Sequence, residues 1–237
     1  MAPADCDAAS RRDSKGRQIG AGGEHTFDST VHTGRPICHS SIWAGQRWHS
    51  SHMEREPFIQ TVSGRRVNPF ALGASDIDID DIAHALANQC RFGGHCRPFY
   101  SVAQHSCIVA DLVAAKGGDA TAELWALLHD APEAYLSDLP HPLKHFSEFG
   151  RLYREAEDRL QRAVSEHFGL PSQPPAVLLE ADRALLAAER EALMADTWEW
   201  PELEGVEPAD VAIDPWAPEK AAAEFRRRYQ ELRRAGT

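Results

Sequence analysis

No run in the 237-residue chain approaches the roughly 18 apolar residues that a membrane-crossing helix needs, and the N-terminal residues lack the basic-then-apolar order of a signal peptide. The expected compartment is the cytoplasm. Positive charge is also short: 25 Lys and Arg stand against 36 Asp and Glu, for a formal charge of -11. That balance argues against a protein that coats duplex nucleic acid, whose affinity comes mainly from cations on phosphates. Small anions stay within reach, because they need only a local cationic pocket or a bound divalent ion. Cysteines are few and odd in number, Cys6, Cys38, Cys90, Cys96 and Cys107, with no framework spacing. Reduced thiols are expected rather than disulfides. What the chain does have is core-forming material, 43% hydrophobic residues with six Trp and nine Phe, enough for one large domain or two small ones.

Residues 1–52 are rich in Gly, Ser, Thr, His and Asp and show no apolar period, so they read as a disordered leader. Patterning begins at Met53, which is the expected natural start if the leader is an over-extended reading frame. Residues 53–237 are then expected to form a single domain, with a core at about 78–196, a C-terminal helix at about 217–235 and no internal repeat. Phe58 to Val62 and Arg65 to Phe70, broken at Ser63-Gly64, predict a short hairpin whose second strand Pro69 confines to an edge. Everything after it predicts helices. Acids from Asp76 to Asp81 suit the first turn of a helix ending near Gln89. Ser101-Val-Ala-Gln104 is a capping box opening a second helix. A third, from Asp119 or Thr121, leads into His129-Asp130, where Pro132 restricts Ala131 and ends or kinks it. The segment Asp138 to Lys144, with two prolines, predicts a loop; a long amphipathic helix follows from about Phe146 to Phe168, closed by Gly169 and Pro171. Another starts at Pro174-Pro175. The acidic stretch Thr197 to Trp216 is expected to wrap the body as an ordered loop, before a last helix docked by Phe225, Tyr229 and Leu232.

Two helices carry polar groups where apolar ones belong. His105 lies mid-face among Val102, Ile108 or Val109, and Leu112, and Asp182 lies among Leu178, Leu179, Leu185 and Leu186. A buried charge needs a partner. An arginine such as Arg151 or Arg183 would serve Asp182, and a lone core histidine needs only a hydrogen bond. With the adjacent His129-Asp130 pair, however, the set makes two imidazoles and two carboxylates, a shell suited to Mn, Fe, Co, Ni or Zn more than to Mg. Glu133 follows three residues later as a further carboxylate. Cys90, His95 and Cys96 are a weaker zinc candidate, lacking a fourth ligand and Cys-x2-Cys spacing. Arg226 to Arg228 read as a solvated face.

His105, then His129-Asp130, then a distant Asp182 resembles the H...HD...D signature of the HD-domain metal-dependent phosphohydrolases, an all-helical superfamily. The neighbouring motifs Arg91-Phe92, Ser101-Val-Ala-Gln-His105-Ser, Leu-His129-Asp130-Ala-Pro-Glu133-Ala and Asp138-Leu-Pro-His-Pro-Leu-Lys144 look like those of bacterial 5'-deoxynucleotidases and phage deoxynucleoside triphosphohydrolases. The resemblance covers roughly Asp78 to Asp196. It implies one divalent metal on His105, His129, Asp130 and Asp182, a catalytic role for Glu133 beside Asp130 in activating water, and a nucleotide held by Arg91, Phe92, Asp138, Leu139, Pro140, His141 and Lys144. It implies a small-molecule nucleotide as partner and relatives that are often homodimers. Expected substrates are nucleoside monophosphates, with deoxynucleoside triphosphates as the alternative; a cyclic nucleotide fits the loop after Asp138 less well, and a non-catalytic nucleotide sensor is the rival from another class. Phe92 stands where those deoxynucleotidases carry tryptophan, which leaves the deoxy preference open. Surface solvation is the competing reading for Lys144, a turn or cap for Asp138, and core packing for Phe92.

Overall fold

The computed structural model describes residues 56–236, all within the unit Ser51–Thr237; the leader and Met53 lie outside them. Two strands, β1 (Ile59–Gln60) and β2 (Arg66–Val67), pair antiparallel with Ile59 opposite Val67. They are shorter than the sequence predicts. Asp81 holds the turn between them, accepting from both the backbone N and the Oγ of Ser63 at 2.8 Å.

The rest is helical: α1 (Ile79–Asn88), α2 (Val102–Ala115), α3 (Ala120–Leu128), α4 (Glu133–Leu136), α5 (His141–His145), α6 (Glu148–Phe168), α7 (Ala176–Leu193) and α8 (Pro218–Ala235). The protein is all-α with a small N-terminal hairpin. Short polar side chains start four of the helices by satisfying first-turn N–H groups: Asp78 for α1, Ser101 for α2, Asp119 for α3 and Ser147 for α6. Gly169, at φ 71°, ends α6 in the left-handed region open to glycine. One expectation fails locally. His141 to Lys144 are helical rather than a loop, because Pro142 falls in the first turn, where its missing N–H would have had no partner anyway.

Helix α2 is the axis of the molecule, packed by α1, α3, α7 and α8 and buried on nearly every side. Its Gln104 does not close the expected capping box. Its amide instead donates to Asp214 O at 2.7 Å and accepts from Trp216 N at 2.8 Å, tying the acidic loop to the core. Phe225 of α8 is fully buried, with Tyr229 and Leu232 packed behind it. Arg228 shares that inner side of α8 and corrects the reading of a solvated arginine run: it donates to Cys107 O at 2.7 Å and pairs with Asp111. Among the described residues no helix is long and apolar enough to cross a membrane.

Candidate metal centre and cleft

Three helices bring the chemistry together. His105 projects from the second turn of α2, where it is wholly buried. Helix α3 stops at Leu128 and resumes as α4 at Glu133, so His129 and Asp130 occupy the kink, held by turn bonds from Ala131 N to Leu128 O and from Glu133 N to Asp130 O. The two side chains therefore leave the helix at its end and reach one centre. Asp182 comes from α7, at the edge of the buried face: Leu178 and Leu185 are buried, but Leu179 is 57% exposed and the Asp182 side chain 37%. It lies at the cleft edge rather than in the middle of an apolar face. Neither arginine candidate pairs with it in this arrangement; Arg151 binds Glu148 and Glu155, and Arg183 donates to Glu202 O.

Hydrogen bonds fix which nitrogen each imidazole offers. His105 Nδ1 donates to Glu189 Oε1 at 2.7 Å, and His129 Nδ1 donates to Ala126 O at 2.7 Å. Both Nε2 atoms are thereby turned towards the cluster, where a metal ion could take their lone pairs in place of a proton, in the pattern by which outer groups orient metal-binding histidines. His105 Nε2 is buried without an aligned hydrogen-bond partner. It nevertheless lies 3.1 Å from Asp182 Oδ1 and 3.8 Å from Asp130 Oδ2, and His129 Nε2 lies 3.3 Å from the same Asp130 oxygen. Donors that share one ion at about 2.1 Å must lie roughly 3 to 3.5 Å apart. His105, His129 and Asp130 present ligand atoms all within 4.8 Å of one another, a group able to hold a metal ion, and Asp182 extends it.

The cluster opens into a cleft of about 660 Å³, lined also by Arg91, Phe92, Glu133, Asp138, Leu139, Pro140, His141 and Lys144. Every residue assigned to the site from sequence thus faces one space. Arg91 spends two nitrogens on Glu189 Oε2, at 3.2 and 3.0 Å, and directs Nη1 towards Asp130 Oδ2 at 3.8 Å. Glu133 is buried, and its Oε2 has no hydrogen-bond partner. Lys144 meets Glu157 at 2.6 Å, so it is not a surface-solvated lysine. Phe92 adopts φ 58°, uncommon for a residue with a side chain, on a turn closed by the Cys90–Ser101 bridge and the bond from Arg91 N to Tyr100 O.

Electrostatics sort these carboxylates into two kinds. Burial pushes the Glu133 carboxyl well above its usual range, and the negative charges of Asp130 and Asp138 add to the effect. Burial acts the same way on Glu189 and Asp182, but there it is outweighed. Arg91 and His105 hold Glu189 below the ordinary carboxylate range, and His105 does so for Asp182. Burial and Arg91 work against a charged His105, yet Glu189 and Asp182 prevail and raise it to about 9.

Sequence reading missed Glu189, the fully buried carboxylate joining Arg91 to His105. Its signal was weak: it lies seven residues beyond Asp182, two turns down the same side of α7, among alanines that disguise its burial. Also missed was Gln89, which donates to Glu133 O at 2.9 Å and accepts from Asp138 N at 3.0 Å, spacing the two segments. The alternative zinc set does not form. Cys90 and Cys96 have sulfurs 3.4 Å apart, but they form no metal-binding group of three with His95, which lines the cleft instead.

No family model matches the chain. Over 177 residues, 74% of this chain and 95% of the other, it is 37% identical to the uncharacterized protein YfdR of Escherichia coli. Over 128 residues, 52% of this chain and 64% of the other, it is 42% identical to the uncharacterized protein RCAP_rcc00048 of Rhodobacter capsulatus. Identity of that order sustained along nearly all of YfdR means that the chain belongs to the same protein family as YfdR.

Proposed function

We propose that the chain is a metal-dependent phosphohydrolase that cleaves nucleoside 5'-monophosphates by water attack at phosphorus. The observation that carries this reading is the convergence of two oriented imidazole Nε2 atoms with Asp130 and Asp182, beside a buried carboxylate with an unused oxygen, Glu133. His105, His129, Asp130 and Asp182 would hold one divalent ion, for which the orphaned His105 Nε2 and the donor spacing are suited. When bound, such an ion polarises a phosphoryl oxygen and makes water more acidic.

The chain's own groups do the rest. Glu133, raised by burial, accepts a proton from the attacking water. The new P–O bond forms as the bond from phosphorus to the sugar 5' oxygen breaks; that oxygen takes a proton from solvent as the nucleoside leaves, and Glu133 returns its proton to solvent. Arg91 Nη1 and Lys144 supply positive charge to phosphate oxygens, while Asp138, Leu139, Pro140 and His141 border the sugar. Glu189 keeps Arg91 and His105 oriented throughout. Deoxynucleoside triphosphates are the second reading, favoured by Arg183 along the same cleft, a further cation within reach of a longer phosphate chain.

Product analysis tests the proposal. Metal-stripped protein, restored with Mn or Co, is incubated with matched ribo and deoxy mono- and triphosphates. Orthophosphate and nucleoside from monophosphates are expected; tripolyphosphate release would select the second reading, and firm metal binding with no product from any nucleotide would move the protein to the sensor class.

A further inference from the structure

The cleft has two chemically different ends. Around the proposed metal site it is ionic, but Leu186, Met194, Leu203, Phe92, Trp198 and Trp200 also line it, and its volume of about 660 Å³ far exceeds what a phosphate group fills. A ligand that occupies it must be charged at one end and apolar at the other. The apolar wall comes from the segment after α7. That segment turns back along the helix: Arg190 donates to Trp198 O at 2.6 Å, Arg183 to Glu202 O at 3.0 Å, and Ala209 N to Ala184 O at 2.9 Å. It is thereby brought to the level of Asp182.

We propose that Trp198 and Trp200, together with Phe92, form the surface on which the nucleobase of the substrate stacks; this rests on the nucleotide reading above. The rings form a row. Arg91 stands 5.3 Å from the Phe92 ring, Phe92 is 6.0 Å edge-on from Trp200, and Trp200 is 6.1 Å from Trp198 at an interplanar angle of 35°. Arg91 itself reaches Asp130, so the row starts at the ionic end and runs outwards, as the phosphate, sugar and base of a nucleotide do. Trp198 is 65% exposed and adds little to the core, yet Arg190, only 14% exposed, fixes its backbone. Stacking on such rings accepts any base, because each presents a π-face. The wall therefore selects nucleotides over simpler phosphate esters without choosing among bases.

Binding can be separated from turnover on the full chain carrying Glu133→Gln and loaded with Mn, by calorimetric titration with deoxyadenosine 5'-monophosphate and with 2-deoxyribose 5-phosphate. The nucleotide is expected to bind at least about tenfold more tightly than the sugar phosphate. Trp198→Ala should cut that ratio several-fold, Trp198→Phe should largely restore it, and Trp200→Ala should bring it near one, with sugar phosphate affinity unchanged throughout. Equal affinity of the unaltered wall for both ligands, equal weakening of both by the tryptophan variants, or binding of neither ligand would overturn the proposal. Failure of the hydrolase reading would look different: the preference would persist, and restoring Glu133 would yield no product.

Discussion

The inner and outer ends of the cleft are built by different means. At the inner end His105 and Glu189 lie on long helices, His129 and Asp130 occupy the kink where α3 ends, and each imidazole is oriented by a second group behind it. At the outer end the walls are a five-residue helix, a strained turn at Phe92 and an acidic segment pinned by arginine side chains. Rigid helices can hold donors to within tenths of an ångström, as a metal site requires; short elements on the rim tolerate change. On the proposed function, chemistry and selectivity would thus fall to parts of the chain under different structural constraint.

Breaking the inner end should give the largest effects. Asp130→Ala removes an oxygen close to both Nε2 atoms, and is expected to abolish both retained metal and hydrolysis, read by metal analysis and phosphate release. Glu133→Gln should lower turnover by about 10² to 10⁴-fold while the metal stays bound. The same variant should gain stability when metal-free. A carboxyl whose folded pKa is raised binds more protons folded than unfolded, so stability falls as pH rises from the unfolded value through the folded one. Thermal melts of Glu133→Gln should therefore exceed wild type near neutral pH and converge with it in acid. Loss of turnover without that gain would mean that burial does not raise the Glu133 carboxyl as described.

Glu189→Ala sharpens the comparison, since the residue is fully buried behind the cleft wall. It leaves Arg91 and His105 without their shared partner and should cost about 3 to 5 kcal/mol in denaturant unfolding. Metal affinity should fall about 10 to 100-fold, with Glu189→Gln milder on both counts. The smallest effect belongs to the rim: Lys144→Ala should raise KM several-fold with kcat nearly unchanged, because Glu157 already holds part of its charge. A collapse in kcat instead would move Lys144 into the inner group.

Most of the architecture was legible because helix periodicity and capping are local. Asp78, Ser101, Asp119 and Ser147 mark their helix starts within a few residues of sequence, and His105 betrays itself by its apolar neighbours on one helix face. Glu189 was not legible in that way, since its burial depends on Arg91, 98 positions away, and a glutamate among alanines otherwise suits an exposed helix. Arg228 and Gln104 were misread for the same reason: their partners, Cys107 O and Asp214 O, come from distant segments. Pro142 misled locally, because the rule that extends residues before proline yields when proline falls in a first helical turn. The aromatic wall required the return of the 195–204 segment along α7, a fact of tertiary structure.

Metal stoichiometry tests the central claim most directly. Mn should be titrated calorimetrically into metal-stripped wild-type chain and into Asp182→Ala, whose half-exposed position leaves the core intact. One ion per chain in the wild type, with affinity lost or greatly reduced in the variant, is the expected result; equal binding by both, or no binding by the wild type, would contradict a centre built from His105, His129, Asp130 and Asp182.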